Sequence, residues 1–399
     1  MKRILWIISE LFPPEETSTG YIIGEIANVM TQKYDVKVIC GPEVYDQRKK
    51  LDVNCKFRID PSIEVTNVKA VSEDKSCKLS RMKKFLLMSW RLYYIAKRRI
   101  KKGDSVLMVT NPFPLIIVMG HLRKYRHFSL NMLVHDIMPE GLYTDMHIPH
   151  LVYKTTERIF NKAYASTDLL ISIGRDMNEV LENKIASVET NKEKWPKIAI
   201  IENWGDVETI RPVEFRNNDT IIIQYAGNIG NAQGLAEFVD VLHEARCSHV
   251  KFGIWGTGSA EDSIKEDIRK YGMEESVMFH GAYLRSEQQA VLNACDIALV
   301  RLVKGMYGLG VPSKTYNIMA AGKPILYIGE RGTEIWRMIE ENGNGFCFEP
   351  WDKDGLISFL RELSIDSRIS LSEMGQISRR LAEQKYSKKT ILRRFLEVI

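Results

Sequence analysis

Short β-branched apolar runs alternate with longer stretches of helical period along almost the whole chain, and this alternation constrains the fold more than any other feature. Parallel strands in one sheet need a crossover of a dozen or more residues, usually a helix, so the pattern predicts parallel sheets flanked by helices. It falls into two series. The first places strands near Arg3–Ser9, Asp35–Cys40, Ser105–Thr110, Ser129–Val134, Asp168–Ile173 and Lys197–Ile201. After a polar, proline-containing stretch over Asp206–Asp219, the second places them near Thr220–Ala226, His249–Trp255, Ser276–His280, Asp296–Val300, Pro324–Ile328 and Gly345–Phe348. The expected fold class is α/β, with two Rossmann-like, doubly wound parallel-sheet domains over 1–205 and 206–385. A C-terminal helix over about 386–399 is expected to cross back onto the first domain. Two such sheets facing across a cleft would bind ligands beyond the carboxyl ends of their strands.

Composition agrees with large buried cores: of 399 residues, 45% are apolar and 27% charged. The six cysteines, Cys40, Cys55, Cys77, Cys247, Cys295 and Cys347, are scattered without a C-x-x-C pair, which favours a reducing compartment. The N-terminal run I-L-W-I-I is too short for a signal peptide core or a membrane span and reads as a strand, so the expected location is cytoplasmic. A net charge of +5 is modest, but it is unevenly spread, since Lys75–Lys102 holds eleven Lys and Arg and no acidic residue.

Glycine and hydroxyl residues mark the places where chemistry can sit. Thr19, Gly20 and Tyr21 head a helical stretch after the first strand, where amides can meet an anion or a sugar hydroxyl; a simply capped helix is the plain alternative. The second series opens with I-I-I-Q-Y-A-G-N-I-G-N-A-Q-G-L, a buried strand running into Gly227, Asn228, Gly230 and Gly234, which lets backbone approach a diphosphate. The later I-W-G-T-G carries less information, because G-x-G follows many strands. In G-L-G-V-P-S-K-T-Y-N-I-M-A-A-G-K-P, Ser313, Lys314 and Thr315 occupy a first helical turn where a cation and hydroxyls would suit a phosphate or ribose, unless the helix is merely a packed one.

The segments H-D-I-M-P-E, I-E-N-W-G-D, Y-A-G-N-I-G-N-A-Q-G and P-S-K-T-Y-N-I-M-A-A-G-K-P, in this order, resemble the family 4 retaining glycosyltransferases of GT-B fold, in their WbuB-like branch associated with bacterial surface polysaccharides. The resemblance runs from Met1 to about Leu363. It implies that His135 approaches the donor sugar, that Gly20 and its neighbours line the reaction centre, and that Asn203 and Asp206 mark the hinge. It also implies that Gly227 and Asn228 face the donor diphosphate, that Thr257 and Gly258 line the donor pocket, and that Tyr283 to Arg285 lie beside the nucleobase. Asp136 and Glu140 would orient His135 or bind acceptor hydroxyls, with Thr19 and Tyr21 on the acceptor side. The chain departs from the family where an arginine and a lysine are replaced by Asn228 and Gln233, which leaves Lys314, with Lys304 or Arg301 as second candidate, to neutralise the diphosphate. The family's paired glutamates are replaced by Leu309 and Asn317, and Asn317 could still hydrogen-bond a ribose or sugar hydroxyl.

The implied activity is transfer of a sugar, an N-acetylated hexosamine or deoxyhexosamine, from a nucleotide sugar, with UDP the preferred nucleotide, to a polyprenyl-pyrophosphate-linked saccharide. A nucleotide-sugar epimerase of the same build and a non-catalytic partner subunit are the alternatives. No cofactor and no metal are expected: Asp352-Lys353-Asp354 reads as a helix cap, and His147 and His150 flank Pro149 in poor geometry for coordination. The basic segment, with Lys83, Lys84, Trp90, Arg91 and Arg98, fits a helix lying on an anionic membrane surface, or a packed helix with a solvated basic face. Nucleic acid is not an expected partner.

Overall fold

The structure, a computed structural model, describes residues 2–14, 17–43, 57–72, 78–141, 149–213 and 219–399. His147 and the first basic residue of the cationic segment, Lys75, lie outside the described residues. The chain forms two compact units: Met1–Glu202 with Gly308–Gly310 and Leu392–Ile399, and Asn203–Tyr307 with Val311–Ile391.

In the first unit the elements run β1 (Ile4–Ser9), α1 (Ser18–Met30), β2 (Asp35–Cys40), β3 (Glu64–Asn67), α2 (Lys78–Arg99), β4 (Ser105–Val109), α3 (Pro114–Arg126), β5 (Ser129–Val134), α4 (His150–Ala165), β6 (Leu169–Ser172), α5 (Arg175–Ala186) and β7 (Lys197–Ile200). The sheet is parallel, in the order β3-β2-β1-β4-β5-β6-β7, with Leu5 opposite both Val36 and Ser105. Chain direction across the sheet therefore reverses between β1 and β4, and the crevice at that switch point is where a doubly wound sheet can receive a ligand. The central strands are apolar because helices cover both faces: Leu5, Ile7, Ile8, Leu107, Met108 and Leu130 are fully buried. The edge strand β3 was not expected from sequence. Its residues E-V-T-N lack an apolar run because they sit half in solvent at the sheet margin, where Glu64 pairs with Lys37 at 2.8 Å and Arg99 at 2.7 Å.

The second unit runs β8 (Ile221–Ala226), α6 (Leu235–Ala245), β9 (Val250–Trp255), α7 (Glu261–Tyr271), β10 (Val277–Gly281), α8 (Gln288–Leu292), β11 (Ile297–Arg301), α9 (Lys314–Ala320), β12 (Ile325–Ile328), α10 (Glu334–Asn342), β13 (Gly345–Phe348), α11 (Lys353–Glu362), α12 (Arg368–Gln384) and α13 (Lys388–Val398). Its parallel sheet has the order β10-β9-β8-β11-β12-β13, so the switch point lies between β8 and β11. Ile223, Phe238, Phe252, Ile254, Leu299 and Leu326 fill the core, with the Phe238 and Phe252 rings edge to face at 5.0 Å. Asp352 caps α11, accepting the Gly355 amide at 3.0 Å, as the reading of the D-K-D triplet as a cap expects.

Helix α13 begins in the second unit, and its residues from Leu392 onward count with the first. There Phe395 is buried, Arg394 pairs with Glu202, and the Tyr34 hydroxyl donates to the Ile399 carbonyl at 2.6 Å. Among the described residues no helix is long and apolar enough to cross a membrane.

Candidate active site

At the switch point of the second unit, backbone comes very close to backbone. The Gly227 amide donates to the Trp255 carbonyl at 2.9 Å and the Ile229 amide to the Thr257 carbonyl at 3.0 Å, so the turns after β8 and β9 are laced together. Gly227 has φ +149 and Gly256 φ +127, values that side-chain-bearing residues rarely adopt, and a Cβ at Gly256 would overlap the Gly227 carbonyl. Gly258 is likewise pressed on the Ile229 backbone, while Thr257 and Gly258 keep exposed surface. These glycines are required by the turn itself, and the turn leaves short, side-chain-free backbone at the strand ends.

Lys314, the first residue of α9, points onto this turn. A methyl placed on Gly227 would come within 2.7 Å of Lys314 Nζ, and the ammonium lies 3.5 Å from the Tyr225 ring centroid. Tyr225 is itself fixed, its hydroxyl donating to the Asn228 carbonyl at 2.5 Å. Burial lowers the Lys314 pKa to about 7, and among the described residues the ammonium meets a π face with no carboxylate to offset that burial. Ser313 precedes it, half-buried with its hydroxyl unused as a cap, and the Asn228 side chain is exposed on the turn. Trp255 stacks on His280 at 4.3 Å, and Tyr283 meets its edge at 6.3 Å, which makes an aromatic shelf beyond β9 and β10.

Several expected donor residues are placed otherwise. Thr315 is fully buried, and its hydroxyl, inside the unit, has no hydrogen-bond partner among the described residues. Asn317 turns its side-chain carbonyl to the linker, where it accepts the Asp206 amide at 2.9 Å. Arg301 is buried under the glycine turn, where its guanidinium donates to the Gly234 carbonyl and pairs with Glu237 at 3.1 Å; it shapes the turn and is not available to a phosphate. Lys304 is exposed, with its ammonium 5.3 Å from the Trp351 ring centroid.

The strand ends of the first unit carry side chains. His135 and Asp136 follow β5, and both of their amides reach Thr110 Oγ1, at 3.2 and 3.3 Å. Thr110, buried at the end of β4, thus fixes the His-Asp turn, a role that no sequence signal announces. Burial lowers the His135 pKa to about 4, so the imidazole is neutral at ordinary pH, and its buried Nε2 has no hydrogen-bond partner among the described residues. Asp136 does not hydrogen-bond His135; it keeps an exposed edge while its recessed position raises its carboxyl to about 6. Gly310, in the short segment that clusters with this unit, sits beside it, and the Ile137 amide donates to the Leu309 carbonyl at 2.9 Å.

Gly20 spends its amide on the Thr17 cap of α1 at 3.0 Å, so the cap is Thr17 and that amide is not offered to a ligand. Thr19 is half-buried, and Tyr21 packs edge to face with Phe57. Glu140 is held by Lys184 at 2.5 Å and by the Tyr153 hydroxyl at 3.0 Å. Lys184, with side-chain exposure of 6%, also reaches Asn161 Oδ1 at 3.1 Å. Removing one partner of a buried pair of this kind costs about 3–5 kcal/mol, so this network is structural first. Glu10, at the end of β1, is buried beside Lys84 at 3.5 Å.

That contact corrects the reading of the basic helix. Lys84 faces inward and cannot meet a membrane, Leu92 is in the core, and Arg91 is occupied by the Lys69 and Ala70 carbonyls. The exposed stripe of α2 consists of Leu79, Lys83, Leu86, Leu87, Trp90, Tyr94 and Arg98, with Trp90 stacked on Tyr94 and Arg98 4.2 Å from the Tyr94 ring centroid.

Comparison with known proteins agrees with this two-sheet fold. Residues 206–381 match the family described as Glycosyl transferases group 1. A Pseudomonas aeruginosa protein named "Probable glycosyltransferase WbjE" is 29% identical over 409 aligned positions, which cover 99% of this chain and 97% of that one. The Anabaena protein Alr3699/HepE, solved in complex with UDP, superposes with a TM-score of 0.67 at 15% identity over 100% of this chain and 99% of its own. The lipopolysaccharide outer core galactosyltransferase WaaB superposes with a TM-score of 0.63 at 15% identity over 99% and 98%. The chain thus has the GT-B fold of two parallel-sheet Rossmann-like domains, and its residues 206–381 are similar to the Glycosyl transferases group 1 domain.

Proposed function

We propose that the chain is a retaining glycosyltransferase that moves an N-acetylated hexosamine or deoxyhexosamine from UDP to a polyprenyl-pyrophosphate-linked saccharide during surface-glycan synthesis. The observation that carries this reading is Lys314 Nζ lying over Gly227, a cation on a side-chain-free turn at a sheet switch point. A diphosphate there would meet backbone and one ammonium, and the Trp255–His280–Tyr283 shelf would lie against the base. UDP in the Anabaena neighbour and lipopolysaccharide in the name of WaaB support the donor and the pathway class.

In this reading His135 works as a neutral imidazole. Its Nε2, unpartnered inside the protein, is available to a donor-sugar hydroxyl, and it would stabilise the oxocarbenium-like state from which the acceptor attacks on the retained face. The charge that develops on the leaving diphosphate falls to Lys314. No metal enters this scheme, and turnover is expected to survive a chelator. The α2 stripe of Leu86, Trp90 and Tyr94 with Lys83 and Arg98 would rest on an anionic leaflet at the inner face of the membrane, beside the lipid-linked acceptor.

The test is incubation of the full chain with a panel of nucleotide sugars and a polyprenyl-pyrophosphate saccharide, following nucleotide release, lipid product and the anomeric configuration of the new bond. An acceptor-dependent product with the donor's configuration is expected. Conversion of the donor with no acceptor, or an inverted product, would overturn the reading.

A further inference from the structure

A groove of about 720 Å³ opens between α4 and α5 of the first unit, outside the residues so far given a part in the reaction. Its floor is the Glu140–Lys184–Asn161 network, extended by Asn161 Nδ2 donating to Ser187 Oγ at 3.0 Å. This floor is rigid because each buried charge is held by an opposite charge or an amide. The walls are open and mix polar and apolar surface, with Val180 and Val188 among the lining and Asn183 exposed on the α5 side.

The α4 wall has an ordered composition. Leu151, Lys154, Arg158 and Asn161 are spaced i, i+3, i+7 and i+10 and so form one stripe along the helix. Leu151 is 80% exposed and its neighbour Val152 52% exposed, although both are apolar. Lys154 and Arg158 are exposed and make no ion pair or hydrogen bond with any described residue. Read from the start of α4, the stripe passes from exposed aliphatic carbon, through two uncommitted cations, to amides and a hydroxyl. The groove holds three cations, Lys154, Arg158 and Lys184, against two carboxylates, Glu140 and Glu157, so it favours an anion.

We infer that this groove binds a diphosphate-linked saccharide, with Lys154 and Arg158 on the phosphate oxygens, the saccharide toward Asn161 and Asn183, and the lipid end leaving past Leu151 and Val152. The inference rests on the acceptor reading given above and deepens it by locating the acceptor's charged part. The chemical order of such a ligand, apolar chain, diphosphate and sugar, is the order of the stripe. An arginine adds a planar fork suited to phosphate oxygens.

Lys154 and Arg158 are exposed and make no ion pair or hydrogen bond with any described residue, so substituting them should leave folding alone. The experiment compares wild type with Lys154→Ala/Arg158→Ala in direct binding, without donor, of a water-soluble short-chain prenyl diphosphate N-acetylhexosamine, of the phenyl glycoside of the same sugar, of UDP, and of phosphatidylglycerol vesicles. Weakening of the prenyl diphosphate sugar by about tenfold or more, with the glycoside and UDP unchanged, is expected from loss of two charge-assisted contacts. Unchanged binding of that probe, or equal weakening of the glycoside, would overturn the site, and so would an effect confined to the vesicles, which would assign the two cations to lipid headgroups. If wild type binds the probe yet transfers nothing to it, the groove stands and the proposed reaction fails; if wild type transfers and the variant's KM for the acceptor is unaltered, the reverse holds.

Discussion

The same doubly wound sheet occurs twice in this chain, yet its functional end is built from different material in each unit. In the second unit the strands end in glycine turns whose surfaces are backbone, with Lys314 the one cation brought onto Gly227 among the described residues. In the first unit the strands end in ionisable side chains: Glu10 after β1, and His135, Asp136 and Glu140 after β5. Backbone turns suit a ligand part that never varies, such as a diphosphate, because amides present fixed dipoles at no side-chain entropy cost. Side chains suit the part that differs between enzymes and the part where charge develops, because their pKa values can be set by burial, as His135 and Asp136 illustrate.

The comparison is broken most severely at Gly256. Alanine there must adopt φ near +127 and overlap the Gly227 carbonyl, which should destabilise the second unit by about 3 kcal/mol and abolish nucleotide binding. Denaturant unfolding and calorimetric titration with UDP would check both effects; a variant of unchanged stability that still binds UDP would show that the close backbone approach is not needed. Next comes His135→Ala, which should lower kcat by about 100-fold while the affinity for UDP stays within about twofold. An equal loss in donor affinity would move His135 from the reaction to binding, and unchanged turnover would remove it altogether.

These contrasts also explain which parts of the molecule were legible in the sequence. The central strands were, and β5 runs over the residues expected, because strands buried on both faces must be continuous apolar runs; the edge strand β13 was legible too, since its G-F-C-F run is apolar although half-buried. Strand β3 was not, since an exposed edge needs no such run. The glycine turns were legible because only glycine permits their geometry, and that requirement is written locally. Thr110, Glu10, Lys184 and Arg301 were missed or misassigned because their roles depend on partners 25 to 74 positions away, and a threonine ending a strand looks like many others. Lys84 and Lys314 show the limit well: each is one lysine in a basic or polar stretch, and only packing turns one inward beside Glu10 and the other onto Gly227.

The titration of Lys314 sharpens the contrast at tenfold scale. With a pKa of about 7 in the free protein, the lysine is half neutral near pH 7, and a bound diphosphate would raise that pKa by favouring the ammonium. Binding then takes up a proton, so UDP affinity should be greatest below pH 7 and fall by up to about tenfold per pH unit above it, until the pKa of the complex is reached. Phosphate itself has finished ionising by then, with a second pKa of about 6. Titration between pH 7 and 9 with wild type and Lys314→Gln checks this, because the variant should bind more weakly and show a flat profile; a parallel slope in both would exclude Lys314 as the partner of the diphosphate.

The smallest expected effect belongs to Asn317, and it separates two readings of one helix. If α9 serves the donor through Lys314 and the linker through Asn317, then Asn317→Ala loses one hydrogen bond to the Asp206 amide and costs about 1 kcal/mol of stability in the second unit, with UDP-sugar affinity unchanged. If Asn317 instead holds a ribose or sugar hydroxyl, affinity for the UDP-sugar should drop several-fold while stability holds. The linker contact is the stronger expectation on geometric grounds: Gly205 is packed so tightly on the Tyr316 carbonyl that a Cβ would overlap it, and Arg379 Nη1 joins the Ile210 carbonyl at 2.7 Å to the Ala320 carbonyl at 2.6 Å. The start of the second unit is thus fastened to α9 at both of its ends, so that a shift of the helix which carries Lys314 is also a shift of the linker, and Asp206 cannot lose its acceptor without loosening that attachment.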